Sequence, residues 1–126
     1  VLALDYFGHP ITNAEVKIER QVNQTYLLVD SKWTGPSGST EFLLPVGGDL
    51  LISVYVAGRL VIAKTEFLGS GTNQITFNMG EYVSIFGHAI ETGLFALASF
   101  TVALAVVLLL SARRRLTKIF RGKTNR

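Results

Sequence analysis

The sequence predicts a small all-β sandwich of seven strands followed by one transmembrane α-helix. Three observations predict it. Short apolar-alternating runs, each bounded by Gly, Pro or Asn, fill residues 1–80. Residues 92–112 then run for 21 positions without a charge. Seven basic residues and no acidic ones follow in 113–126.

The candidate strands are 2–7, 14–21, 25–32, 40–44, 50–56, 60–67 and 74–78, with no helical period among them. Alternation is plain in Glu15-Val16-Lys17-Ile18-Glu19, which turns Val16 and Ile18 inward and the charges outward. Ile52, Val54 and Val56 form the inward face of a later strand. Pro10 fixes φ and lacks a donor, so it belongs at a strand boundary, and Asn13 can bond its own backbone in the turn. Gly58-Arg59 marks a tight hairpin. Pro45 ends the strand at 40–44, and Gly47-Gly48 permits positive φ before the next strand. Trp33, Phe42, Phe67 and Phe77 are expected in the core or at its edge.

For the segment at 92–112, a helix of that length covers about 30 Å, the thickness of a bilayer's hydrocarbon core. A soluble helix apolar on every side would need covering faces that a chain this short lacks. The charge balance divides at the same place, −4 over residues 1–112 and +7 over 113–126. Arg113, Arg114, Arg115, Lys118, Arg121 and Lys123 set topology, keep the C-terminus cytoplasmic and contact anionic lipid headgroups. The N-terminal domain is then extracellular or lumenal. The expected organisation is a sandwich at 1–80, an interfacial linker at 81–91, the span at 92–112 and a basic tail at 113–126. Tyr82 and Phe86 suit the interfacial aromatic belt, and Glu91 suits a helix N-terminus. Thr92, Ala96, Ser99 and Ala103 place small residues on one helix face, the pattern that lets a partner helix approach closely. Asn23-Gln24-Thr25 is an N-glycosylation sequon in a turn on the outer side.

Chemistry-bearing patterns are sparse. The absence of cysteine excludes a disulfide scaffold, a thiolate zinc site, a blue-copper site and a cysteine nucleophile. His9 and His88 are the only histidines, one in a turn and one at the membrane edge. Gly69-Ser70-Gly71 lacks the Lys-Ser/Thr of a phosphate loop, and no Gly-x-Ser-x-Gly occurs. Asp5, Asp30 and Asp49 lie near turns, but no dense Asp/Asn loop of the calcium-binding kind surrounds them. The expectation is therefore no enzyme, with no catalytic residue, no metal ligand and no cofactor. The tail has one aromatic, Phe120, and no RNA-binding module, so no nucleic-acid partner is expected.

Leu4-Asp5-Tyr6-Phe7-Gly8-His9-Pro10-Ile11-Thr12-Asn13-Ala14-Glu15-Val16-Lys17-Ile18 resembles the opening of the carboxypeptidase-regulatory-like domains, transthyretin-like sandwiches within the Ig-like class. Thr34-Gly35-Pro36-Ser37-Gly38-Ser39-Thr40-Glu41-Phe42, then Leu44-Pro45-Val46-Gly47 and Leu51-Ile52-Ser53-Val54, resemble its second half. Gly35 stands where that family usually has Asp, and Gly48 lengthens the Pro-Gly turn. The resemblance covers about 75 residues, implies a fold and assigns no site. It implies a structural or interaction module. With the span, the expected function is a non-catalytic accessory or structural subunit that binds membrane lipid and an integral membrane protein partner through span and sandwich. The alternative is the membrane-proximal anchor of a larger cell-surface adhesin or envelope protein. The chain starts at Val1 rather than Met, so a short signal peptide upstream would favour the subunit and tandem sandwiches would favour the anchor.

Overall fold

The computed structural model describes residues 1–45 and 47–123, with side chains described as far as Arg113. The chain divides into two compact units, Val1–Thr92 and Gly93–Arg126. The first is mostly β and the second is helical. In chain order the strands are β1 (Leu2–Leu4), β2 (Glu15–Val22), β3 (Thr25–Trp33), β4 (Asp49–Val56), β5 (Arg59–Phe67), β6 (Thr76–Asn78), β7 (Tyr82–Ile85) and β8 (His88–Glu91). The helix α1 spans Thr92–Lys123. Among the described residues eight strands in three sheets replace the expected seven.

One antiparallel sheet, ordered β3-β2-β4-β5, forms a full layer. Its inner face carries Val16, Ile18, Leu50, Ile52, Val54 and Val56, all buried, as the alternation predicted. The opposing layer is built from smaller pieces: the parallel pair β1–β6, the hairpin β7–β8 and the chain between them. Ala3, Ile11, Ala14, Phe77, Met79 and Tyr82 from these pieces complete the core. The result is a loose sandwich, one regular sheet against an irregular lid. Each large buried side chain truncated to Ala is worth about 3 kcal/mol in such a core.

Three hairpins turn on two residues, both with positive φ: Asn23 and Gln24 at +48° and +67°, Ala57 and Gly58 at +50° and +77°, Phe86 and Gly87 at +50° and +80°. That is the type I′ signature, whose twist matches the strands on either side. The first lies where the sequence placed it, and the second turns one residue earlier than the expected Gly58-Arg59, with Arg59 already paired to Val56. The third is a correction: residues 81–91 were expected as an interfacial linker, and most of that segment is the β7–β8 hairpin.

The candidate strand at 40–44 is corrected. Its alternation is real, since Thr40 is buried, Phe42 and Leu44 pack against the core, and Leu43 points to solvent. Its backbone joins no ladder. Thr40 exchanges bonds with Val1 alone, its amide donating to Val1 O at 3.0 Å and its carbonyl accepting from the Val1 amine at 2.9 Å. Farther on, side chains serve the carbonyls, Lys32 Nζ donating to Glu41 O at 2.9 Å and, just past the segment, Arg20 Nη2 donating to Pro45 O at 3.0 Å. Periodicity reports which face is buried; it does not report whether a neighbouring strand exists.

Thr34, just past β3, closes the sandwich edge. Its hydroxyl accepts from the Ala14 amide at 2.9 Å and donates to Ile11 O at 2.8 Å, while its own amide and carbonyl bond Ala14 O and the Asn13 amide. At 2% exposure no water replaces these partners. Thr34→Val keeps the shape and orphans one donor and one acceptor, an expected loss of about 3 kcal/mol. Denaturant unfolding of the full chain in detergent checks it. Thr34→Ser should retain most of the stability, and a Val variant as stable as the Ser variant would refute the role of the hydroxyl.

Candidate functional site

The segment after β1 was expected to remain a strand as far as Phe7, but the ladder stops at Leu4 because Asp5 reorganises the chain. Asp5 is 2% exposed. Its Oδ1 accepts the amides of Phe7 at 2.8 Å and His9 at 2.7 Å, and its Oδ2 accepts the Ser84 amide of β7 at 2.7 Å. Burial by itself would raise the carboxyl's pKa. The three amides, joined by the nearby His9 ring at 3.6 Å, outweigh it and hold the group below the usual carboxylate range. Asp5 therefore ties the 5–9 turn to the hairpin that leads into α1.

That turn displays two aromatic rings. Tyr6 is 63% and Phe7 59% exposed, and their rings meet edge to face at 5.1 Å. The Tyr6 amide donates to Tyr82 O at 2.9 Å, and the edge of the Tyr6 ring comes to 3.9 Å from where a β-carbon on Gly80 would stand. The last residue of the β unit, Thr92, is anchored at the same place. The Thr92 amide donates to Glu81 O at 2.8 Å and its hydroxyl to Gly80 O at 3.2 Å. Glu91 ends β8 and forms an ion pair with Arg59, at the start of β5.

A second exposed apolar surface lies on the outer face of the large sheet. The register sets Trp33 beside Glu15, Leu28 beside Glu19 and Tyr26 beside Gln21, all opposite in direction to Val16 and Ile18. On the far edge Leu60 pairs with Tyr55 and Phe67 with Asp49 on that same face. Trp33 at 60% and Phe67 at 66% exposure are thus not core residues, which corrects the expectation; Phe77 is in the core, and Phe42 is at its edge. Between the two edges Lys17 lies 4.5 Å over the Tyr55 ring and pairs with Glu15, whose carboxylate also accepts from Ser31 Oγ at 2.9 Å. Both edge strands turn charge pairs toward the inner side, Asp30 with Lys32 on β3 and Lys64 with Glu66 on β5. Such inward-facing charges oppose addition of a further strand, so the sheet offers a face rather than an edge.

The other expected positions fall as follows. Asn23 is exposed in the β2–β3 turn. Thr92, Ala96, Ser99 and Ala103 lie on α1, with Ala96, Ser99 and Ala103 exposed. Residues Thr92–Arg113 form the one described helix long and apolar enough to cross a membrane, with none of it buried within the chain. Two of its hydroxyls are satisfied inside the helix, Thr101 Oγ1 bonding Leu97 O and Ser111 Oγ bonding Leu108 O, both at 2.8 Å. Arg113 lies at the end of that stretch. Arg114, Arg115, Lys118, Arg121 and Lys123 continue the helix, and their side chains lie outside those described. Tyr82, expected at the membrane interface, is 6% exposed and belongs to the core; Phe86, at the β7–β8 tip, is 99% exposed.

Sequence reasoning missed Asp5, Tyr6 and Phe7 as a unit. Asp5 with Gly8 three residues on is a legible turn signal, but the Ser84 amide that completes the site is 79 residues away. Among the described residues no group of three His, Cys, Asp or Glu side chains is placed to hold a metal ion. Neither a family model nor a curated protein sequence matches the chain.

Proposed function

We propose that this chain is a non-catalytic, single-span membrane protein, an accessory or structural subunit of a membrane protein complex. Its outer unit is a carboxypeptidase-regulatory-like sandwich that contacts the extracytoplasmic part of an integral membrane partner, and its span packs against that partner's helices. The observation that carries this reading is the outer sheet face. Tyr26, Leu28, Trp33, Leu60 and Phe67 stand exposed on a rigid four-stranded support whose edges are guarded by charge. Exposed apolar side chains on an ordered sheet suit protein contact, because little backbone entropy remains to be lost there. The basic residues from Arg113 onward keep the C-terminus cytoplasmic and meet anionic headgroups, and Asn23, exposed on the outer unit, is open to glycosylation.

Extraction of the native protein in mild detergent, followed by mass analysis of the intact particle, tests the proposal. The expected result is a particle heavier than the 13.8 kDa chain and containing a second integral membrane protein. A monodisperse monomer would count against it. The double variant Ser99→Ile, Ala103→Ile adds bulk to the small-residue face of α1 and should shed the partner. Unchanged assembly of that variant would remove the span from the interface and leave the sheet face alone.

A further inference from the structure

We infer that the Tyr6–Phe7 turn is a bilayer-interface contact, a fixed aromatic foot by which the outer unit rests on lipid where the chain enters the membrane. The inference rests on the proposed reading of Thr92–Arg113 as a span. If the span begins at Thr92, the surface of the outer unit around Thr92 lies at headgroup level whatever the direction of the helix axis. Thr92 is bonded to Gly80 and Glu81, and Tyr6 is bonded to Tyr82, the next residue along, with its ring edge beside Gly80. The turn is thus held within one residue's contact of the point where the chain leaves the unit.

The chemistry of the turn suits that position. Tyr and other amphipathic aromatics partition to the membrane–water boundary, where the ring meets the acyl edge and the hydroxyl stays wet. Tyr6 and Phe7 are each more than half exposed, stacked on one another rather than on the core. They are also rigid. The Asp5 carboxylate fixes the Phe7 and His9 amides, and the Tyr6 amide is bonded to Tyr82 O, so placing the rings in the interface costs little further conformational entropy. Tyr82, which the sequence offered for this role, is taken up by the core, and its carbonyl positions Tyr6 instead.

The test uses the full chain in lipid vesicles, with Trp33→Phe removing the native tryptophan and Phe7→Trp placing a new one in the turn. A parallel Leu104→Trp variant reports the span. Vesicles are made with lipids brominated either near the headgroup or at mid-chain, and iodide is the aqueous quencher. Trp at position 104 should lose most of its emission to mid-chain bromine. Trp at position 7 should be quenched by headgroup-proximal bromine and be partly shielded from iodide. Trp at position 7 that is untouched by either brominated lipid and fully open to iodide, while position 104 is quenched, overturns the interface contact and leaves the span standing. No bromine quenching at position 104 overturns the span, and with it the inference. Amide exchange of the β2–β4 ladder in the same samples shows that the unit is folded, and Tyr6→Trp reports on the same turn if Phe7→Trp fails that check.

Discussion

Gly38→Ala should destabilise the β unit by about 3 kcal/mol or more, a fall of roughly 10–20 °C in Tm for a unit of this size. Two effects add at this position. Gly38 has a φ of +70°, where a β-carbon is strained. That β-carbon would also stand 2.7 Å from Ala3 O and within 3 Å of both Cα and Cβ of Pro10, all of them close-packed backbone or ring atoms. Neither neighbour is free to move. Gly38 O accepts the Ala3 amide at 2.8 Å, and Ala3 O accepts the Ile11 amide at 3.0 Å, so relief of the clash would break the bonds that hold β1 in the lid. Gly58→Ala is the control. Its φ is +77° but nothing lies within 4 Å of the added carbon, so only the left-handed penalty of about 1 kcal/mol applies. Thermal melts of both variants decide the matter: equal losses would show that the close approach at Gly38 contributes nothing.

Asp5→Asn is the second large effect, an expected loss of about 3 kcal/mol at neutral pH. The substitution preserves shape but replaces one carboxylate oxygen with an NH2 group. Whichever way the amide is turned, a donor then faces a buried backbone donor, either Ser84 N–H or the pair from Phe7 and His9. The loss also has a pH signature. The folded carboxyl titrates below its ordinary value of 3.8, so the unfolded chain binds the proton first. The contribution of Asp5 is complete above that ordinary value and is lost as pH falls through it toward the folded value. Denaturant unfolding at neutral pH and at about pH 3 should therefore show a wide gap between wild type and Asp5→Asn that narrows with acid. A gap that stayed constant with pH would mean that the charge of Asp5 is immaterial. Because Asp5 also sets the Tyr6–Phe7 turn, the variant should loosen the turn before the large sheet, which amide exchange would resolve residue by residue.

How much could be read from the residues varies with the range of the interaction involved. The β2–β4–β5 region was legible because its information is local: Val16 and Ile18, then Ile52, Val54 and Val56, alternate cleanly, and Gly58 marks the turn. The apolar helix was legible for the same reason, since a run of 21 uncharged residues needs no partner to be recognised. The β7–β8 hairpin was passed over because Tyr, Phe and His before a span also describe an interfacial linker. Its turn residues, Phe86-Gly87, lack the Asn or Asp that usually announces a type I′ loop. Trp33 and Phe67 were misplaced because a large apolar side chain gives no sign of which face it occupies when its neighbours, Lys32 and Glu66, are charged residues turned inward at a sheet edge.

By itself the sequence determined the class of the molecule, a mostly β unit followed by an apolar helix with a cationic C-terminal flank, because periodicity and uninterrupted hydropathy are properties of consecutive residues. Only the tertiary structure decided which apolar residues remain outside. Whether Tyr82 or Tyr6 reaches solvent depends on a carboxylate at position 5 meeting an amide at position 84. Whether Trp33 is buried depends on which face of the large sheet it occupies, and the register places it on the outer one, beside Glu15. These outcomes are set by contacts between segments far apart in the chain, and the surfaces proposed to meet lipid and protein are made of them.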